Sequence, residues 1–209
     1  MHLIGINGFK RSGKGETAKI IERLYAGNVQ GVGFADKLKI LGARALGYTD
    51  RTDEQCIALM DQWKDTGWLE GGEIGGLSPE VAITGRQYLQ NLGNEARVVF
   101  GDSFWIDMVL PTPVPTVDGW VEAASSEALA LRYPDVDVLC ITDLRYPNEA
   151  ERVLALGGKV WEIVRPGQES DGHASEIPLP RELVSLTLNN DGTLEDLETK
   201  VEIAMVALG

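Results

Sequence analysis

The residues best suited to chemistry stand near the start of the chain, in the segment GFKRSGKGET. Gly8, Gly13 and Lys14 have the G-x-x-x-x-G-K spacing of a phosphate-binding loop. Glycines let backbone N–H groups curl around a phosphate, a following helix adds the positive end of its dipole, and the lysine carries a point charge to the phosphate. The pattern therefore predicts a site for a nucleotide or another phosphorylated ligand. Its candidate binding residues are Gly8, Lys10, Arg11, Ser12, Gly13, Lys14, Gly15, Glu16 and Thr17.

One position of this loop departs from the usual pattern. Gly15 follows the lysine, where most such loops have the serine or threonine that binds Mg²⁺. Thr17 supplies a hydroxyl two residues later, and Glu16 supplies a carboxylate. The sequence leaves open whether Glu16, Thr17 or water contacts the metal.

The loop needs a strand before it and a helix after it, and the sequence predicts both. An apolar run opening at His2 is typical of a buried parallel strand, and helix-favouring residues follow from Lys14 to about Ala26. Strands and helices then alternate, which indicates an α/β fold with a mostly parallel sheet and helices on both faces. The segment PTPVPTVDG is predicted to be a loop. Further strands are expected at about 29–34, 138–141, 159–164 and 186–188, and helices at about 34–46, 54–63 and 84–100, from 147 and from 194.

A second group of polar residues follows one side of the helix predicted over 84–100. At about 100° per residue, Arg86, Gln90, Gly93 and Arg97 lie within roughly 60° of one another, beside the apolar stripe. Such a stripe can line a cleft in which Arg86 binds a phosphate and Gln90 contacts a base edge. It can equally be a solvated helix flank with a packing glycine. The stripe expected to be buried consists of Leu89, Leu92, Ala96 and Val99.

A third group lies at predicted strand ends. Asp143 and Arg145 follow the strand 138–141, at the edge where α/β sheets bind ligands, so Asp143 is a candidate for orienting Mg²⁺ or a second substrate. Glu149 lies in the next helical turn, where favouring the helix dipole accounts for it without a functional role. Asp36 and Lys39 follow the second predicted strand, and helix N-capping accounts equally well for Asp36.

Composition limits the classes of partner. The net charge of -13 argues against nonspecific binding to nucleic acid or to an anionic membrane. The two cysteines form no metal or disulfide framework, no apolar run reaches the length of a membrane span, and no secretory signal is recognisable, so we expect a cytoplasmic protein. We also expect one domain over residues 1–209, with a mobile insertion at about 50–82. The glycine-rich segments Gly67–Gly76 and Gln168–Glu176 are candidate lids.

Several blocks together resemble the bacteriophage deoxynucleoside monophosphate kinases of the T4 type. They occur in the family's order and cover most of the chain except about 50–82 and 111–135, and the KRSGK and VRPGQ segments are particularly specific. The blocks are GFKRSGKGETA, FADKLK, GRQYLQNLGNEARVVFGDSFW, TDLRYPNEAE, GGKVWEIVRPGQESDGHASE and NNDGTLEDL. The family's loop has Asp-Thr after the lysine where this chain has Gly15-Glu16, so the resemblance does not identify the Mg²⁺ ligand.

The resemblance implies a nucleoside monophosphate kinase-like fold of the P-loop NTPase class. It implies transfer of the γ-phosphate of ATP, with Mg²⁺, to a deoxynucleoside 5′-monophosphate (dNMP). The segment at about 50–82, which the resemblance does not cover, is expected to be a mobile insertion or an acceptor-binding subregion. Lys14, Arg11 and Arg145 are the expected catalytic residues, and Glu16, Thr17 and Asp143 the candidate metal ligands. The expected acceptor-site residues are Asp36, Lys39, Arg86, Gln90, Arg97, Trp105, Asp143, Arg145 and Glu149, although Trp105 equally suits a core position.

Other functions remain open at this point. A different small-molecule kinase with a phosphate-binding loop fits the first group of residues. A non-enzymatic nucleotide switch fits less well, because the N-K-x-D motif with which GTPases recognise their base is missing from the sequence. The sequence leaves open which dNMPs are accepted, how strictly ribose is excluded, and whether the chain is a monomer or a homodimer.

Overall fold

A computed structural model describes residues 1–66, 84–112, 114–116, 119–121, 125–167 and 178–208. They form two compact units, residues 1–33 with 109–209 and residues 34–108. The predicted subregion at about 50–82 falls inside the second unit, and residues 67–83 and both candidate lids lie outside the described residues. In chain order the elements are β1 (His2–Asn7), α1 (Lys14–Leu24), β2 (Val29–Val32), α2 (Phe34–Ala45), α3 (Asp53–Thr66), α4 (Gly85–Phe100), α5 (Phe104–Asp107), β3 (Val114–Thr116), β4 (Gly119–Val121), α6 (Ser126–Arg132), β5 (Val138–Ile141), α7 (Pro147–Ala155), β6 (Lys159–Val164), β7 (Leu186–Asn189) and α8 (Leu194–Val206).

The first unit is built on a five-stranded parallel sheet with the strand order β2-β5-β1-β6-β7. Strand β1 therefore lies in the middle, with Gly5 opposite Ile141 on one side and Val160 on the other. All four strand pairs are parallel, which confirms the arrangement expected from the sequence. Strands β1 and β5 and the middle of β6 are short apolar runs that are largely buried on both faces, as is usual in such sheets.

Helices cover the two faces of this sheet. Ile4 and Ile6 point to the face covered by α1 and α8, where they join a core that includes Ile20, Trp161 and Val201. Alternation along the strand turns Gly5 to the opposite face, where Leu144 and α7 pack. Both cysteines are buried and reduced, and burial raises the pKa of the Cys140 thiol to about 12.

Three elements of this unit were not expected. The segment predicted as a loop contains the antiparallel pair β3 and β4, whose register places Thr116 opposite Gly119. The D-G dipeptide at 118–119 is a hairpin signal that the prolines before it obscure. Helix α6 was also not predicted, and the Ser125 side chain caps it by accepting a hydrogen bond from the Ala128 backbone N–H.

The second unit consists of α2, α3, α4 and α5. Its core is formed by Ala43, Leu46, Cys56, Leu59, Met60, Trp63 and Leu89. Helix α4 begins with a capping box in which the Thr84 and Gln87 side chains each bond the other's backbone N–H.

The apolar stripe predicted for α4 is only partly correct. Leu89 and Ala96 are buried and Leu92 is half-buried, but Val99 is 68% exposed. The contacts from Trp63, Gly42 and Leu38 fall between Gly85 and Gly93, so the last turn, residues 98–100, is left exposed. No helix among the described residues has the length and apolar character needed to cross a bilayer.

Replacing Gly158 with alanine should destabilise the first unit. A Cβ at this position would lie 2.8 Å from the Val153 carbonyl oxygen and 2.9 Å from that of Leu3, and backbone atoms cannot move aside cheaply. We expect a loss of about 1–3 kcal/mol in the free energy of unfolding, measured by urea denaturation. Gly31→Ala is the control, because its Cβ would meet only Thr142 at 3.4 Å. Equal stability of the two variants would contradict this packing.

Candidate active site

The phosphate-binding loop connects β1 to α1 at the carboxyl edge of the sheet. Gly8 has φ +146° and Gly13 has φ +109°, which are conformations that glycine adopts without strain. A Cβ on Gly8 would also collide with the Ile163 carbonyl oxygen of β6. Gly13 then caps α1, and its carbonyl oxygen accepts the Thr17 N–H at 2.8 Å. The two glycines of the motif are therefore required by conformation and by space.

Arg11 also adopts an unusual backbone conformation. Its φ is 64°, and it is the one described residue other than glycine with a positive φ. A left-handed conformation costs an L-residue of this kind roughly 1–2 kcal/mol. The exposed guanidinium thus stands on a strained turn, which is common at binding sites.

Lys14 folds back over its own loop. Its Nζ donates to the carbonyl oxygens of Gly8 at 2.6 Å and Phe9 at 2.9 Å. The ammonium is half-buried, and its position directly above the loop places a positive charge where a phosphate would bind.

The three residues after Lys14 differ in their suitability as metal ligands. A Cβ on Gly15 would meet nothing within 4 Å, so this position offers space but no ligand atom. Thr17 is completely buried and its hydroxyl donates to the Gly13 carbonyl oxygen at 3.1 Å, which does not favour it as a metal ligand. Glu16 lies 3.9 Å from Lys19 at the surface. The described residues hold no cluster of three His, Cys, Asp or Glu side chains suited to a metal.

The ends of β1 and β5 hold the acidic and basic candidates together. The buried Asn7 at the end of β1 donates from Nδ2 to the Leu144 carbonyl oxygen at 2.9 Å. This bond attaches the turn that carries Asp143, which is half-buried, and Arg145, which is exposed, to the strand preceding the phosphate-binding loop. No local signal in the sequence singles out Asn7, because its hydrogen-bond partner lies 137 residues away.

Glu149 acts on the backbone of the same turn. It is 3% exposed, and its Oε2 accepts the backbone N–H groups of Arg145 at 2.7 Å and Tyr146 at 3.0 Å. These bonds fix the Arg145 main chain at the start of α7. The structure therefore gives Glu149 a positioning role, beyond the dipole effect considered from sequence.

In the second unit, Lys39 is held by two carboxylates. Its Nζ lies 3.2 Å from Asp36 and 3.0 Å from Asp61, and Lys64 bonds the other oxygen of Asp61 at 2.6 Å. Burial lowers the pKa of Lys39, but the bond to Asp61 and the charge of Asp36 raise it above its ordinary value overall. Asp36 is the third residue of α2, so the N-cap interpretation was wrong. Asp61 was not anticipated, since it joins the group from α3.

The polar stripe of α4 divides into two kinds of residue. Arg86 and Gln90 are exposed and Arg97 is half-buried, whereas Gly93 is buried. A Cβ on Gly93 would lie 3.3 Å from Leu38, and its carbonyl oxygen accepts the indole N–H of Trp105 at 3.1 Å. Gly93 is thus a packing glycine. Trp105 is 3% exposed, which favours the core interpretation of this residue.

Two substitutions of Arg11 should separate the backbone strain at this residue from the contribution of its guanidinium to activity. Arg11→Gly removes the guanidinium and relieves the left-handed strain, whereas Arg11→Ala removes the guanidinium and keeps the strain. We expect the glycine variant to be more stable than the alanine variant by about 1 kcal/mol in urea denaturation, while the two lose activity alike. Equal stability of the variants would show that this turn is not strained.

Comparison with known proteins identifies a family. The family model for deoxynucleotide monophosphate kinase matches residues 79–201. The chain is 27% identical to the deoxynucleotide monophosphate kinase of Escherichia phage RB69 over 257 aligned residues. The alignment covers 97% of this chain and 98% of that relative. The chain is also 33% identical to the deoxynucleotide monophosphate kinase of Enterobacteria phage T4 over a segment of 90 residues. This segment is 43% of this chain and 37% of that relative.

Among solved structures, the dephospho-CoA kinase of Campylobacter jejuni has a TM-score of 0.43 at 14% identity, covering 100% of this chain and 97% of its own. A score of this size adds nothing to the description of the fold, which rests on strand order and register. The family model, in contrast, spans more than half of the chain and includes α4, the Asp143–Arg145 turn and α7. The chain belongs to the deoxynucleotide monophosphate kinase family.

Proposed function

We propose that the protein transfers the γ-phosphoryl group of ATP to the phosphate of a deoxynucleoside 5′-monophosphate. The observation that carries the proposal is the phosphate-binding loop of a family member, with the ammonium of Lys14 above the carbonyls of Gly8 and Phe9. The loop's glycines and the N-terminus of α1 suit the phosphates of ATP.

The reaction needs no general base. The second pKa of a phosphate monoester is about 6, so a dNMP is already an oxyanion at neutral pH. The difficulty is to bring two anions together and to stabilise charge on the transferred group. Lys14, Arg11 and Arg145 supply the positive charge, and Glu149 holds the backbone from which Arg145 extends. Their contribution is position and electrostatics.

Mg²⁺ fits this chain through few protein contacts. Mg²⁺ bound to a nucleotide typically keeps several waters and takes one or two carboxylates plus phosphate oxygens. Asp143 provides a half-buried carboxylate at the strand edge, while Thr17 is buried and already bonded to Gly13. We therefore favour Asp143 over Glu16 and Thr17, with water near Gly15. The ion would neutralise charge on the phosphates of ATP.

Residues of the second unit are proposed to bind the acceptor. Arg86 and Gln90 are exposed on successive turns of α4, so a guanidinium for the acceptor phosphate and an amide for its base are both accessible. Asp36 and Asp61 hold the Lys39 ammonium in place and offset its charge, so Lys39 would act as a positioned hydrogen-bond donor. Arg97 is part of the same helical stripe.

A coupled assay of ADP release over dNMPs, NMPs, nucleosides and dephospho-CoA tests the function. We expect turnover with one or more dNMPs, and loss of at least 100-fold in Lys14→Ala with its melting temperature retained. Lys19→Ala, whose side chain is 73% exposed on the same helix, is the control and should behave as wild type. Turnover only with another acceptor, ATP binding without transfer to any acceptor, or normal turnover in Lys14→Ala would reject the proposal.

Arg86→Ala tests the acceptor assignment. Loss of a charge-assisted contact of about 1.5–3 kcal/mol should raise the KM for dNMP by about ten-fold or more while the KM for ATP stays unchanged. Arg44→Ala is the matched control, because Arg44 belongs to the same unit and pairs with Asp53 at the surface. Steady-state constants equal to those of wild type for every dNMP would exclude Arg86 from acceptor binding.

A further inference from the structure

The turn that follows β7 brings a side-chain amide to the phosphate-binding loop. Asn190 lies just beyond the end of the strand, and its backbone N–H donates to the Val164 carbonyl oxygen at 2.7 Å, which continues the pairing of β7 with β6. Its side-chain Nδ2 donates to the Ser12 carbonyl oxygen at 2.8 Å. The sheet therefore fixes the residue that bonds the loop, across 178 positions of sequence.

The same amide lies against the second glycine of the motif. A Cβ on Gly13 would be 2.6 Å from the Asn190 Nδ2 and 3.7 Å from Leu197 of α8. Gly13 must therefore be glycine for two reasons, its φ of +109° and the close approach of this side chain. A side chain at position 13 would therefore collide with the amide that bonds the Ser12 carbonyl oxygen.

The bond determines the direction of a backbone N–H. In a planar trans peptide the carbonyl and the N–H point in opposite directions. Because Asn190 holds the Ser12 carbonyl from one side, the N–H of Gly13 is held pointing away from Asn190. A phosphate-binding loop depends on such N–H groups being oriented before the ligand arrives, since a peptide that is free to rotate must be ordered during binding.

We propose that Asn190 is a positioning residue for the phosphate-binding loop, fixing the Ser12–Gly13 peptide so that its N–H is available to the phosphates of ATP. This inference rests on the proposed function, because it assumes that the loop binds ATP. It assigns a role to the NNDGT turn between β7 and α8, which lies far in sequence from the residues of the motif.

Two variants and a control test the role. Asn190→Ala removes the donor, and Asn190→Asp keeps the shape but replaces the N–H donor with a carboxylate oxygen. Asn189→Ala is the control, because Asn189 is exposed and its contacts are made by the backbone, which pairs with Val164 and whose carbonyl oxygen accepts from Lys200 at 2.6 Å. The measurements are the Kd for ATP by calorimetry, the KM values for ATP and dNMP, and the melting temperature of each variant.

We expect Asn190→Ala to raise the Kd and KM for ATP about 3- to 10-fold, the range of one neutral hydrogen bond, with the KM for dNMP unchanged. Asn190→Asp should weaken ATP binding more, since it places negative charge beside the phosphates. Asn189→Ala should match wild type. A merely structural role would lower the melting temperature and weaken both substrates together.

Wild-type ATP affinity in Asn190→Ala would overturn the inference, as would equal weakening of ATP and dNMP with a large loss of thermal stability. If Asn190→Ala does not fold, the same criteria apply to Asn190→Asp. The Lys14→Ala variant distinguishes failure of the proposed function from failure of the role assigned to Asn190. Normal turnover in Lys14→Ala rejects the proposed function, whereas an inactive Lys14→Ala beside Asn190 variants with normal ATP binding rejects only this inference.

Discussion

The close approach of β6 to Gly8 is the constraint on which the site depends. The carbonyl oxygen of Ile163 occupies the space that a side chain at Gly8 would need, so the chain leaves β1 directly against its neighbouring strand. Because β1 pairs with β5 and β6, its end cannot shift without disturbing two sets of ladder hydrogen bonds. The sheet thus determines where the phosphate-binding loop begins.

The second unit uses glycine differently, to bring helices together. A Cβ on Gly42 of α2 would lie 3.2 Å from the Tyr88 side chain. A Cβ on Gly85 of α4 would lie 2.7 Å from Trp63. Such close packing leaves one flank of α4 exposed at Arg86 and Gln90. Because α2 and α3 pack against one flank of α4, the other flank is left to polar side chains.

Local signals in the sequence were sufficient for the main elements. Residues 138–141 and 159–164 form strands as predicted, because short apolar runs bounded by polar or glycine residues have few other stable structures. The phosphate-binding loop was recognisable because its residues are contiguous. The prolines in and before β3 argued against the strands β3 and β4. Val99 was wrongly predicted to be buried, because helical periodicity carries no information about where the partner helices end.

The contacts that organise the site were less predictable, because they join distant residues. The Asn7 side chain donates to the Leu144 carbonyl oxygen, and the Asn190 side chain donates to the Ser12 carbonyl oxygen. Each bond joins residues far apart in the sequence. An asparagine in a turn has an adequate local explanation, and nothing in the sequence distinguishes one that bonds a distant carbonyl. Likewise Lys39 suggested an anion site, but its carboxylate partner on α3 required knowledge of helix packing.

The bonds of Lys14 to Gly8 and Phe9 have a consequence for selectivity among anions. A ligand that draws this ammonium onto itself must replace two short carbonyl contacts, so binding is an exchange and only the difference in free energy is gained. A weakly charged anion such as chloride offers little in return, whereas a polyphosphate offers several oxygens at once. The loop's own carbonyls thus act as internal competitors that favour densely charged ligands over the common salts around them.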